Sequence, residues 1–367
     1  MIIDCSQTSL RDGIALASSA VTTRTTVSLF QSLMMDASQA DKLRLVGTDG
    51  DLWVENTIPA TIRQPSSFAV PASLLRDMVT SLAPGEVRME LASDTSIHVS
   101  QGHSQYRVVG QRADDFADVP MISSDTPISL PEGELEKLLD SVLFATAPDS
   151  PRGAFTGVLF DYDGTMLRLV ATDSHRLAMR EASFPGAGSA VSALVSARAL
   201  SIIKKLPVGD DGLVTLMFGE DRCSAATDDA RVVSALIKDA FPPYSRVIPT
   251  ETTRSWMMDK AALVEALKRC AIMAKAGSQR VTLQSDGDIV TLTSKSEGVG
   301  DAKEEVSIVK EGGDLMISFN VEYLLDAVQA VESEGVKIDM TEENRAAVVR
   351  PTEGEGYLCV IMPMSNL

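Results

Sequence analysis

Histidine, cysteine and long apolar runs are all scarce in this 367-residue chain. With 3 His, 4 Cys and no CxxC pair, a metal site built on imidazole and thiolate is not expected. Cys5, Cys223, Cys270 and Cys359 lie far apart, which suits a reducing, cytoplasmic setting in which thiols act as small apolar residues. No apolar stretch approaches the roughly 18 residues that a spanning helix needs, so no membrane partner is expected. The opening residues MIIDCSQTSLRD carry neither a basic nor an apolar leader region, and no secretory signal is expected. No GxxxxGK[ST] loop is present, so nucleotide hydrolysis is not expected of this chain, and no cofactor is implied. Positive charge is also short: 33 Lys and Arg against 51 Asp and Glu give a net charge of −18. That balance argues against tight nucleic-acid binding, which depends on phosphate contacts from Lys and Arg. It can be met only if basic residues gather on one surface or if binding does not rest on affinity.

What is present is a repeat. The chain is organised around Phe155 to Leu177, read as two strands, a turn at Asp161-Tyr162-Asp163-Gly164, and a polar cluster Thr172-Asp173-Ser174-His175-Arg176. Leu167-Arg168-Leu169-Val170-Ala171-Thr172-Asp173 agrees at six of seven positions with Leu43-Arg44-Leu45-Val46-Gly47-Thr48-Asp49, 124 residues earlier. A weaker third copy begins at Ile289, 122 residues later. Strand-to-helix junctions recur on the same spacing at Pro71, Ser196 and Asn320, each suited to a helix start. Each unit opens with an amphipathic helix: Leu10, Ile14 and Ala17; Leu135, Leu138, Leu139, Val142 and Leu143; Leu263, Leu267, Cys270 and Ala271.

The expected architecture is therefore α+β, in three tandem copies of one unit of about 120 residues. The expected limits are 1–125, 126–250 and 251–367, with boundaries near Ser124-Asp125-Thr126-Pro127 and Pro249-Thr250-Glu251-Thr252. Neither boundary is a long flexible linker. Alternation such as Val87, Met89 and Leu91 predicts antiparallel sheets with helices on one side.

One motif points to a different chemistry. Leu159-Phe160-Asp161-Tyr162-Asp163-Gly164-Thr165 resembles the first motif of haloacid-dehalogenase-type phosphatases, in which two aspartates and Mg²⁺ transfer a phosphoryl group. Lys204, Lys205 and Asp210-Asp211 offer weak counterparts to its later motifs. The repeat favours a hairpin turn instead. The equivalent stretches, Asp36 to Asp41 and Ser285 to Asp288, are polar turns without that pattern, and no alternating βαβα series follows.

Four segments carry a resemblance. They are Ala171 to Ala178, Phe241-Pro242-Pro243-Tyr244-Ser245-Arg246-Val247-Ile248-Pro249, Phe319 to Leu324, and Val360-Ile361-Met362-Pro363-Met364. With the length and the threefold repeat, they make the chain similar to the bacterial DNA polymerase III β subunits, the sliding clamps. The resemblance implies a head-to-tail dimeric ring of six similar domains, helices lining the hole and sheets outside. It also implies a non-catalytic role, without exonuclease activity: encircling double-stranded DNA and tethering a polymerase during replication. A topological link would meet the charge objection, since closure holds DNA without strong phosphate affinity.

The same resemblance implies three sets of site residues. DNA-facing candidates are Arg24 and Arg152 in loops, with Arg11, Arg76, Lys137, Arg198, Lys204, Lys205, Lys268 and Lys275 on helical segments. A groove for a partner's extended peptide, bearing a Gln and large apolar residues, would use Phe155, Thr172, Ser174, His175, Arg176, Leu177, Pro242, Val247, Val360, Met362, Pro363 and Met364. A homodimer interface would use Tyr106, Arg107 and Val108 against Ile272, Met273, Glu304 and Glu305. An ATP-driven clamp loader is implied as a further partner. Phe155 is bulkier than the family's usual Leu, Ser174 stands where Gly is common, and Ser365-Asn366-Leu367 lacks the usual basic residue. Two alternatives are carried forward: a Mg²⁺-dependent phosphatase on Asp161 and Asp163, and a clamp paralogue specialised for repair or drug resistance.

Overall fold

The computed structural model describes residues 1–23, 25–123, 127–184, 190–209 and 211–365. Six helices punctuate the described chain: α1 (Gln7–Ala17), α2 (Ala72–Ser81), α3 (Glu132–Asp140), α4 (Ala197–Ile203), α5 (Lys260–Lys275) and α6 (Val321–Gln329). Each repeat supplies two, and between and after them come antiparallel strands, as the alternation predicts. Local chemistry sets the helix starts. Ser6 accepts from the Ser9 amide at α1, Asp259 from Ala262 at α5, and Asn320 from Glu322 and Tyr323 at α6. Pro71 caps α2 without a side-chain bond, fixing φ where the chain enters the helix.

The strands assemble into four sheets, and these cut across the repeat limits. The chain forms two compact units, Met1–Leu135 with Arg198–Leu236, and Glu136–Ala197 with Ile237–Leu367. In the first, a nine-stranded sheet joins strands of the first repeat to Leu213–Phe218, Arg222–Ala226 and Ala230–Ala235 of the second. The seam is Leu52–Pro59 paired with Ala230–Ala235, Val54 opposite Val232. In the second unit, Arg176–Ser183 pairs with Tyr357–Ile361 in the same way, Leu177 opposite Val360. Each unit also holds a smaller sheet, of five strands in the first and four in the second.

Helices cover one face of these sheets. Leu10, Ile14 and Ala17 on α1 are fully buried with Leu43, Leu45 and Val70, and α5 buries Leu263, Leu267 and Cys270. The repeat's one mismatch, Gly47 against Ala171, has a steric cause: a Cβ at Gly47 would meet the Ala17 carbonyl oxygen at 2.1 Å. The other face of each nine-stranded sheet is covered as well, by the chain that runs between repeats. Ala113, Phe116 and Val119 pack with Val46, Trp53 and Val233 in the first unit. Ile237, Phe241, Tyr244 and Ile248 do the same over Val170, Leu177 and Val360 in the second. These two straps are themselves 125 residues apart, Phe116 to Phe241 and Val119 to Tyr244, a landmark that the strand and helix patterns did not bring out.

Three expectations need adjusting. The periodic run from Leu135 to Leu143 is not one helix: α3 ends at Asp140 and Leu143 lies in a separate 3₁₀ turn. Lys204 and Lys205 fall just past the end of α4. In the third repeat the inward residues are Val290, Leu292 and Ser294, matching Leu167, Leu169 and Ala171 at an offset of 123 rather than 122. An offset of 122 would set exposed Ile289 where Leu167 is buried, because a one-residue slip exchanges the two faces of a strand.

Candidate binding site and family

The polar cluster after Met166–Thr172 is a tight turn. The Asp173 carboxylate accepts from the amides of His175 and Arg176, both at 2.9 Å, and the Thr172 hydroxyl donates to the Arg176 carbonyl at 2.7 Å. Ser174 takes φ 77°, a left-handed conformation. The first repeat builds the same turn, with Asp49 accepting from Asp51 and Leu52 and Gly50 at φ 98°. Thr172 is buried and serves the turn; Ser174 and His175 are exposed at its tip.

Arg176 points the other way, into the protein. It is 9% exposed, and its guanidinium meets Asp173 at 3.1 Å, Asp326 at 2.7 Å and the Phe144 carbonyl. The Tyr323 ring lies 4.3 Å from its Cζ and the Phe144 ring 5.1 Å. This planar cation, its N–H groups donating to two carboxylates and a carbonyl and its faces set against two rings, fixes the turn to α6.

Beside the turn lies a cleft of about 530 Å³ lined by His175, Tyr323, Met362, Pro363 and Met364 with Arg280. Its wall is the C-terminal segment, stitched in place by the Met362 amide to the His175 carbonyl (2.9 Å) and the Met364 amide to the Ser318 carbonyl (2.8 Å). His175 stacks on Tyr323 at 6.3 Å between centroids. Next to this cleft, Phe155, Leu177 and Val360 form the apolar floor under the Ile237–Ile248 strap, all of them buried. Val247 on the strap and Met362 on the C-terminal segment are 45% and 47% exposed, large apolar side chains left at the surface. Pro242 lies on the strap. All twelve groove candidates belong to the second unit; His175, Met362, Pro363 and Met364 line the cleft, Phe155, Leu177 and Val360 belong to the apolar floor, and Pro242 and Val247 lie on the strap. They divide by role: Thr172 and Arg176 hold the turn, Phe155, Leu177 and Val360 form the floor, and the rest are accessible. Arg152 packs against Phe155, its Cζ 5.6 Å from the ring.

The phosphatase alternative does not survive this geometry. Asp161 and Asp163 belong to an antiparallel hairpin, Gly157–Tyr162 with Met166–Thr172, and not to a strand feeding a helix. Asp163 is consumed by its own turn, accepting from the Thr165 amide and hydroxyl, the Met166 amide and Arg168. Those bonds hold its carboxyl well below the usual range, led by the Met166 amide. Asp161 accepts from the Tyr244 hydroxyl at 2.8 Å.

Comparison with known proteins shows the family. Residues 1–120, 129–243 and 245–365 match, in order, the N-terminal, central and C-terminal domains of the DNA polymerase III beta subunit. The beta sliding clamp of Synechocystis sp. is 30% identical over 99% of both chains. The chain belongs to the beta sliding clamp family. The crystal structure of the DNA polymerase III subunit beta from Pseudomonas aeruginosa superposes with a TM-score of 0.90 at 27% identity, over 99% of this chain and 100% of that one. The beta subunit from Thermotoga maritima does so with 0.90 at 25% identity, over the whole of both. A sliding clamp from Pseudomonas aeruginosa bound to griselimycin, at 26% identity, gives 0.91 over 100% of this chain and 99% of that one. The chain is a non-catalytic DNA polymerase processivity factor, and DNA encircling, ring formation and polymerase partnership come with the family.

The clamp's basic candidates are mostly neutralised at home. Arg11 pairs with Asp12, Arg76 with Asp77, Lys268 with Glu265 and Lys275 with Glu322. Arg198 is bound to Asp49 and to the Ser19 and Ala20 carbonyls, so it braces the first unit. Among the described residues, Arg152, Lys137 and Lys205 are exposed without an acidic partner. Arg24 lies outside the described residues.

Five of the interface candidates sit on two sheet edges, and Ile272 and Met273 lie on α5. Ser104–Val109 is an edge strand of the first unit and Gly300–Ser307 an edge strand of the second. Tyr106 is 39% exposed, but Val108 is a core residue at 2%; the outward apolar neighbour is Val109, at 61%. Alternation along the strand puts consecutive residues on opposite faces, which corrects the choice of Val108. Ile272 is 67% exposed, and Met273 lies beside Gly300. Glu304 is held by Arg269 at 2.8 Å and 2.9 Å and Glu305 by Lys303 at 2.7 Å, while Arg107 donates to Ser96 at 3.2 Å.

Proposed function

We propose that this clamp works as a homodimer closed head to tail around duplex DNA, and that it holds the replicative polymerase and other proteins by a short peptide lying across the cleft and apolar floor of the second unit. The observation that carries the groove is the exposure of Val247 on the strap and of Met362 in the His175–Met364 cleft, in a unit whose strap covers the buried floor of Phe155, Leu177 and Val360. Large apolar anchors of a partner would cover the two exposed side chains, and the methionines would adapt to more than one ligand. His175, Tyr323 and backbone at the cleft would receive polar groups such as a glutamine amide.

Closure of the ring would pair the Ser104–Val109 edge of one subunit with the Gly300–Ser307 edge of the next, burying Tyr106, Val109 and Ile272. Two open edges flanked by apolar side chains support that pairing. Domain limits near residues 125 and 250, loading by an ATP-driven partner and a cytoplasmic location go with this reading. Arg152, Lys137 and Lys205 would make the weak phosphate contacts that a sliding ring tolerates.

Fluorescence polarisation with a labelled nine-residue peptide carrying Gln, Leu and Phe tests the groove. Val247→Ala with Met362→Ala should weaken binding by about tenfold or more, since each exposed anchor contact contributes roughly 1 kcal/mol. Unchanged affinity would overturn the assignment.

A further inference from the structure

Another cavity, of about 410 Å³, is lined by the start of the same strap and shares no lining residue with the His175 cleft. Its apolar lining is Leu159, Leu194 and Ile237; its rim is Phe241 to Tyr244; its charged groups are Asp161 and Asp239. Among the described residues, no basic side chain lines it. Asp239 is exposed, and among the described residues it has no ion-pair partner. Asp161 is half-buried, opposite Arg168 in the strand pair, and accepts from the neutral Tyr244 hydroxyl. Burial and that bond push the Tyr244 hydroxyl up to about 12, so it stays protonated as the donor to Asp161.

We infer that this cavity is an additional subsite for an arginine side chain flanking the apolar anchors of a bound partner peptide. The inference rests on the groove reading above and deepens it. Its chemistry follows from the lining. Leucine and isoleucine accept an aliphatic stem, two carboxylates accept the head, and the Phe241 and Tyr244 rings favour a planar guanidinium. Pro242 belongs both to the groove candidates and to this cavity, so a peptide crossing the floor of Leu177 and Val360 reaches it without leaving the protein surface. Leu159 and Leu194, which line the cavity, are members of the same buried cluster as that floor.

The test uses the full-length clamp and a set of nine-residue Gln/Leu/Phe peptides extended at either end by Arg, Ala or Glu. At one end, Arg should bind about fivefold more tightly than Ala and Glu correspondingly less, with the preference shrinking in high salt. Asp239→Asn should remove most of that preference and leave the Ala-extended peptide's affinity unchanged. Asp239 is a surface residue, so the variant should fold; Asp161→Asn provides a second reading from within the cavity. If Ala-extended peptides bind and Arg brings no gain at either end, the subsite is wrong and the groove stands. A gain that survives both aspartate substitutions also overturns it. If no peptide binds, the groove reading fails and this extension fails with it.

Discussion

Arg176 and Asp326 meet at 2.7 Å although 150 residues separate them in the chain. The pair joins the turn that carries Ser174 and His175 to α6, which carries Tyr323 into the cleft. Arg176 is therefore a positioning residue for the cleft rather than a free contact on its surface.

Arg176→Ala should destabilise the clamp by about 3 kcal/mol, because it leaves Asp173 and the Phe144 carbonyl without their buried partner. Urea unfolding measures this. Arg176→Lys should recover only part of the loss, since an ammonium cannot reach both carboxylates and lie flat on Tyr323. A lysine variant as stable as the parent would contradict that role.

Ser174 occupies a left-handed position that Gly50 fills in the first repeat. A side chain there costs roughly 1–2 kcal/mol, partly offset by the greater freedom of glycine in the unfolded chain. Ser174→Gly should raise stability by about 0.5–1 kcal/mol, and Ser174→Val should lower it. Thermal unfolding of the two variants gives the order; the reverse order would show that the turn relaxes.

Much of this could be read from the chain, and what could not has a physical cause. The repeat, the antiparallel strands and the turn at Asp161 to Gly164 follow from apolar alternation and turn residues. That same alternation cannot say which strand of one repeat continues the sheet of the next, so the seams at Val54–Val232 and Leu177–Val360 were not foreseen. Groove residues were named together, yet their roles depend on direction. Arg176 turns inward and Val360 is floor, while Met362, two residues on, is exposed. The resemblance points to Val108, and only the fold reveals that Val108 is buried and Val109 faces out. The straps over the outer faces went unnoticed because they are irregular, although Phe116 and Phe241 hold the repeat spacing.

Asp4 offers a pH probe of the first unit. Its carboxylate is 6% exposed and bonded by Arg88 at 2.7 Å and 3.0 Å and by Arg63 at 2.7 Å. Arg88 chiefly, and Arg63, hold its pKa at about 2 against the opposing effect of burial. A carboxylate depressed in the folded state stabilises it above the unfolded value, near 4, and loses that contribution as pH falls towards 2. Asp4→Asn should therefore cost on the order of 2 kcal/mol at neutral pH, with the gap to the parent closing between about pH 4 and pH 2. A gap independent of pH would mean that the ion pairs contribute nothing.

The central claim is topological tethering, and retention on circular against linearised DNA tests it most directly. After loading by a clamp loader and gel filtration, the clamp should remain with nicked circles and be lost from linear molecules by sliding off the ends. A net charge of −18 makes high-affinity open-surface binding a poor substitute for closure. Equal retention on both forms would contradict the account and mean that the chain holds DNA by contacts alone.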